Sequence, residues 1–324
     1  MIEIKEQAKL LHSARTAVRQ CMALQAEESL LIICNPPNLA IAQAIWEAGA
    51  ELTRDLRLIV YPVAEMNGVE PPKWVADAMM EADVIMAPTV MSISHTHARR
   101  RASKERKSRI ASMPGITEDI FIRGLASDYD EIETVSRRLK NYFDLARSAK
   151  IKSPSGTDLH LTLGNPGAVS IGKMTKPGDF TNLPDGETET APVSADGVLV
   201  VDRCGDYIVE PTRLLFKNGY LIDYQNNISG QRFKKLIERA MELDKNDNAS
   251  FIAEFAIGTN PTAKVSGVVL EDEKVLGTCH IAVGDNRSYV GGENTSTLHI
   301  DMIVFKPTIW FDDILIMQDG KLKV

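Results

Sequence analysis

Residues 29–50 read SLLIICNPPNLAIAQAIWEAGA: a short apolar run, an Asn-Pro-Pro break, then helical periodicity that ends at Gly49-Ala50. Strand, loop, helix is the order that feeds a crossover connection. It recurs downstream, with Leu56 to Val63 as a strand, Pro71 to Ala82 as a helix and Asp83 to Pro88 (DVIMAP) as a strand. Repetition of this order predicts a doubly wound α/β amino-terminal domain built on a parallel sheet. Ahead of it, MIEIKEQAKLLHSARTAVRQ has the pattern of an amphipathic helix charged throughout, not the apolar core of a secretory signal.

The chain of 324 residues exceeds what one hydrophobic core usually organises, so two domains are expected. Helical periodicity resumes from Asp128 to Ala149 and stops before Ser153-Pro154-Ser155-Gly156, which sets domains of 1–150 and 151–324. Beyond the boundary the texture changes to short alternating runs: Asp158 to Leu163, Gly197 to Val201, Arg213 to Phe216, Tyr220 to Asp223, Phe251 to Ile257, His280 to Val283, Leu298 to Phe305 and Ile314 to Met317. One helix, Ser229 to Leu243, interrupts them, and turns such as Lys217-Asn218-Gly219 bracket them. The second domain therefore reads as α+β, rich in antiparallel strands.

Composition excludes several classes of function. With 44% hydrophobic and 25% charged residues the chain should fold around a core. A net charge of -7, spread along the chain, argues against nucleic acid as a partner. No apolar run is long enough to span a bilayer, so no membrane is expected. Cys21, Cys34, Cys204 and Cys279 form no CxxC pair, and reduced thiols in a cytoplasmic protein fit best. One segment stands out: His95 to Arg109 (HTHARRRASKERKSR) crowds seven basic residues and two histidines into a single expected helix. A solvated helix face explains most such runs; the sharper reading makes Arg99 and Arg101 contacts for an anionic substrate.

The chemistry is expected where charged side chains interrupt apolar strands, because an unpaired buried charge costs several kcal/mol. In FIAEFAI (251–257) a lone carboxylate, Glu254, breaks an otherwise apolar run with no basic residue inside it. A metal ion would neutralise it; an edge strand turning Glu254 to water is the competing explanation. In LHIDMIV (298–304), His299 and Asp301 lie two apart and project from one strand face while Ile300 and Met302 pack behind. His280 sits likewise in an apolar strand, as a ligand or as a satisfied core histidine. Glu187 emerges from the turn Pro184-Asp185-Gly186, which suits a ligand or a general base. Tyr289 occupies a loop between two of these strands and could donate to an oxyanion.

The succession NLPDGETETAP (182–192), FIAEFAIGTNP (251–261), GTCHIAVGDNRSYVGG (277–292) and STLHID (296–301) resembles the thermophilic metallopeptidases that include aminopeptidases T and S. The resemblance covers the second domain. It implies that Glu187, Glu254, His280, His299 and Asp301 surround two divalent ions (zinc, cobalt, manganese or iron), Glu254 bridging them. Glu187 and His280 would complete one coordination sphere, His299 and Asp301 the other. Water activated between the ions would then attack an amino-terminal peptide or small amide bond, with Tyr289 stabilising the oxyanion. A homodimer acting on a small peptide or other small molecule is implied as well. The same arrangement resembles the dihydroxypyridine dioxygenases, which use one ferrous ion. These carry histidine in the place of Glu254 and lack the turn acid matching Glu187, so the retained carboxylates favour the hydrolase. A third reading is a non-catalytic metal-binding protein, which the carboxylate-rich set disfavours because structural zinc is usually closed by thiolates and imidazoles.

Overall fold

The computed structural model of the chain describes residues 2–324, with side chains from Glu6 onward. Met1, the first residue of the expected amino-terminal helix, lies outside the described residues; the helix runs Ile2–Thr16 and continues as a wide turn, Ala17–Cys21. Two compact units form, one from residues up to Ile132 with Ile171–Asp185, the other from Glu133–Ser170 with Gly186–Val324. The units interleave along the chain, whereas the sequence boundary at 150 expects a single cut. The cause is a three-residue strand, Phe180–Asn182, that joins the edge of the first unit's sheet after the second unit has begun.

The first unit is the expected parallel sheet. Its strands lie in the order Leu56–Val60, Leu30–Cys34, Val84–Thr89, Arg109–Pro114, Phe180–Asn182, all parallel. Leu30–Cys34 and Val84–Thr89 are buried along their whole length, which is why they read as continuous apolar runs and not as alternating ones. Leu31, Ile33, Ile85, Ala87 and Ile110 pack from the sheet against Val75, Met79 and Ala98 of the covering helices.

The basic run breaks up instead of forming one helix. It is helical over His97–Arg101, widens over Ala102–Arg106 and stops at Lys107, which takes a left-handed φ of 65°. Arg109 then opens a strand. Its guanidinium makes two hydrogen bonds to the Glu28 carboxylate, at 2.7 and 2.6 Å, and Arg106 pairs with Asp83 at 2.5 Å. Much of the charge is thus spent on pairing inside the unit.

The second unit is the expected α+β domain. Eight strands form one antiparallel-paired sheet, and five form another in the order His299–Phe305, Thr278–Gly284, Ile252–Gly258, Glu187–Thr190, Ala168–Ser170, every pair antiparallel. Phe143, Phe255 and Phe311 meet between the helix Tyr129–Leu145 and the sheets, with ring centroids 4.7–5.9 Å apart. The helix Ile228–Asp244 is capped by Asn227, whose Oδ1 accepts from Gly230 N at 2.8 Å. Asn227→Ala should cost about 1 kcal/mol and Asn227→Asp almost nothing. Calorimetry would then record a fall in Tm of roughly 2 °C for the first variant alone.

Among the described residues no helix is long and apolar enough to cross a membrane. The four cysteines are buried and unpaired.

Candidate metal centre

Strand periodicity builds the site on one face of the five-stranded sheet. Side chains opposite one another across an antiparallel pair share a face, and so do residues two apart. Glu254 is opposite Ala282, which is opposite Asp301; Ala256 is opposite His280 and Glu189; Gly258 is opposite Glu187; Gly284 is opposite His299. All five expected ligands therefore project from one face. Alanine and glycine fill the positions between them and leave room. The alternate positions, Phe255, Ile257, Ile281, Val283, Met302 and Val304, point the other way into the apolar core. A residue of the wrong parity in FIAEFAI or LHIDMIV is thus the front of a sheet whose back is the core.

The distances make a chain of contacts. His280 Nε2 lies 3.2 Å from Glu254 Oε1 and 3.6 Å from Glu187 Oε2. The other Glu254 oxygen, Oε2, is 3.2 Å from His299 Nε2 and accepts from the Tyr289 hydroxyl at 2.5 Å. His299 Nε2 in turn is 3.5 Å from Asp301 Oδ1. The His299 ring is held from behind, its Nδ1 donating to the Asp285 carbonyl at 2.7 Å, and it stacks on Tyr289 with centroids 5.8 Å apart. A gradient of access runs through the group. The His280 side chain is 1% exposed and Glu254 3%, whereas His299 is 29% exposed. The His299 end is the more accessible one.

Electrostatics follow from burial and pairing. Burial works to raise the Glu254 carboxyl, but hydrogen bonds from His280 and His299 overcome it and hold the group well below the usual carboxylate range. Burial opposes charge on His280; the Glu254 hydrogen bond and charge outweigh it and push the imidazole up to about 9. His299 is driven upward in the same sense by Asp301 and Glu254, against its burial. Burial raises the Tyr289 hydroxyl well above its ordinary range, so it stays a donor to Glu254.

These residues fit a divalent cation. Because a carbonyl can only accept, His299 Nδ1 carries the proton, and a neutral ring turns its bare Nε2 toward two carboxylates. A cation is required between them, whether a proton on Nε2 or a metal. Metal-bound histidines commonly donate their second nitrogen to a carbonyl in this way. Glu187 Oε2, His280 Nδ1 and Asp301 Oδ1 are buried with no hydrogen-bond partner. Three overlapping groups bring ligand atoms within 4.8 Å of one another: Glu187, Glu254 and His280; Glu254, His299 and Asp301; Glu273, His280 and Asp301. The donors are oxygen and imidazole without thiolate, the set that suits zinc, manganese or iron.

Two members were invisible in the sequence. Lys274, buried to 4% exposure, donates to Glu187 in a short ion pair and to Glu273 at 2.9 Å. Both lie in Glu271-Asp272-Glu273-Lys274, a run that reads as a solvated turn but is buried entirely. Arg99 and Arg101 belong to the first unit. Arg99 is half-buried, its guanidinium 4.0 Å above the Phe180 ring and bonded to the Ser94 carbonyl, with no ion pair among the described residues. Arg101 is exposed and faces Glu105.

Against known proteins, the sequence profile of the family described as 2,5-dihydroxypyridine 5,6-dioxygenase matches residues 54–324. A curated 2,5-dihydroxypyridine 5,6-dioxygenase of Pseudomonas putida strain KT2440 is 26% identical over 277 residues, 80% of this chain and 73% of that protein. The solved 2,5-dihydroxypyridine dioxygenase from Pseudomonas putida KT2440 superposes with a TM-score of 0.77 at 17% identity, covering 98% of this chain and 97% of that one. Wild-type AmpT from Thermus thermophilus gives 0.71 at 18% identity, over 98% and 99%. Both structures share the fold. The family match overturns the expectation of an aminopeptidase-like hydrolase or metalloprotease with two ions activating water. That expectation weighed Glu187 and Glu254 as hydrolytic acids; in the structure Glu187 is bound by Lys274 and Glu254 sits between two imidazoles.

Proposed function

The chain belongs to the 2,5-dihydroxypyridine 5,6-dioxygenase family, and from that premise we propose that it holds one ferrous ion and opens a hydroxylated pyridine ring with molecular oxygen. The observation that carries the proposal is the group Glu254, His299 and Asp301, whose ligand atoms converge at the accessible end of the centre. Iron bound there would supply the redox chemistry that lets an aromatic ring react with oxygen. The group offers one imidazole and two carboxylates, where the usual facial triad has two imidazoles and one carboxylate. His280, on the far oxygen of Glu254, is the nearest second imidazole.

The chain's own side chains do the rest. Asp285 fixes the His299 tautomer through its carbonyl, so Nε2 faces the ligand group. Tyr289 donates to Glu254 Oε2 and holds that carboxylate in one orientation. The apolar back of the sheet anchors all three strands, which keeps the ligand atoms in register. Arg99, as a desolvated cation pulled down to about 10 by burial and by Arg100, is the proposed contact for an anionic substrate group. Arg99→Ala should raise KM about tenfold for an anionic substrate and far less for a neutral analogue, the ~1.4 kcal/mol of one charge-assisted hydrogen bond. Equal KM changes for both would remove Arg99 from the substrate site. Arg101→Ala, losing only an exposed pair, should change neither.

The deciding experiment is an oxygen-electrode assay on anaerobically purified, iron-loaded protein with 2,5-dihydroxypyridine, alongside amino-acid anilides. Consumption of one oxygen molecule per ring opened is expected, with no anilide cleavage. Ring substrate left intact under oxygen would refute the reading. A cytoplasmic homodimer, with neither nucleic acid nor membrane as partner, completes the proposal; light scattering tests the dimer.

A further inference from the structure

Lys274 is a lysine buried in the second unit that the proposed chemistry does not use. We propose that its ammonium group stands in the place of a second cation, so that the centre accepts a single divalent ion, at Glu254, His299 and Asp301. The inference rests on the reading of this group as a divalent-metal centre and adds what limits its occupancy.

Three ligand groups overlap at the site, and two of them contain His280. Lys274 Nζ binds one carboxylate of each of those two: Glu187 in the first and Glu273 in the second. The remaining group, Glu254, His299 and Asp301, shares no residue with the Lys274 contacts. A second divalent ion near His280 would have to displace the ammonium or lie beside it. Like charges at such separation inside a poorly solvated site repel strongly.

The lysine is delivered by the backbone and not by chance rotamer choice. A Cβ on Gly258 would lie 2.3 Å from the Val275 carbonyl oxygen and 2.7 Å from the Lys274 carbonyl carbon, so only glycine lets this segment cross the sheet at that point. Asn260 clamps it from both sides, its N–H donating to the Lys274 carbonyl at 2.9 Å and its carbonyl accepting from Leu276 N at 3.0 Å. Gly258 is also the residue opposite Glu187. The same glycine thus admits the lysine backbone and brings its side chain to the acid it neutralises. Upstream, Asp272 accepts from Ser266 N at 2.7 Å and Gly267 N at 3.0 Å, closing the loop that carries Lys274.

The test is metal stoichiometry, read by equilibrium dialysis of full-length protein against excess manganese(II) followed by elemental analysis. Wild type should hold one manganese per chain, K274R one, and K274M two. Wild type holding two would overturn the inference while leaving the metal centre standing; so would a folded K274M that still holds one. Should K274M fail to fold, K274Q, which keeps a polar head without the charge, takes its place, with two manganese expected and one overturning the inference. No manganese bound by wild type would sink the metal centre and this inference together, which separates that failure from the others.

Discussion

Glu254→Ala is expected to lose the bound metal and to lower kcat/KM by about a thousandfold or more, some 4 kcal/mol of transition-state stabilisation. Among the described residues, the carboxylate is the only group that touches both imidazoles and the Tyr289 hydroxyl. Removing a second-sphere partner of a metal site already costs about 10–100-fold in affinity, and a direct ligand should cost more. The fold should survive, because the vacated position is flanked by His280 and His299, either of which can shed its proton once the anion is gone. Metal analysis and calorimetry on the same sample separate the two effects. A variant that keeps its full metal content would show that Glu254 is not a ligand, whatever its activity. Glu254→Gln is the sharper companion: it preserves volume, removes charge and should lose metal nearly as completely.

How far the sequence disclosed this site depends on which physical signal each residue leaves. Leu30–Cys34 and Val84–Thr89 were legible as strands because both faces are covered, leaving uninterrupted apolar runs. Glu254, His280, His299 and Asp301 were legible because each interrupts such a run, and a polar side chain at a core-adjacent position requires a partner. By contrast, Arg109–Pro114 lay hidden at the end of a charged run, since the ion pair that stabilises it comes from Glu28, far away in sequence. Phe180–Asn182 is too short for any periodicity. Lys274 left no signal at all: four consecutive charged residues look solvated until Gly258 and Asn260 are seen to hold them against the sheet. The choice of chemistry failed for a related reason. Oxygen and imidazole donors serve hydrolysis and oxygen activation alike, so retained acids could not discriminate, whereas the match over residues 54–324 could.

The two site histidines should separate by what their loss damages. His299→Ala is expected to cost about a thousandfold in kcat/KM, ~4 kcal/mol, with Tm shifted by only a few degrees. The ring stands at the open end of the group, 29% exposed, and its loss can be filled by water that solvates Glu254 and Asp301. His280→Ala acts on stability instead. That ring is 1% exposed and lies between Glu254 and Glu187, so its removal takes a shared partner from two buried carboxylates, leaving Glu187 with Lys274 and Glu254 with His299 and Tyr289, and opens a cavity beside them. Removing one partner of a buried ion pair costs about 3–5 kcal/mol, and the cavity adds to it. Denaturant titration should therefore show a large loss for His280→Ala and a small one for His299→Ala, while metal content shows the larger loss for His299→Ala. Should the order reverse, with His299→Ala keeping its metal and His280→Ala releasing it, the ion would belong at the deep end of the site, and the ammonium of Lys274 would have to be its neighbour and not its substitute.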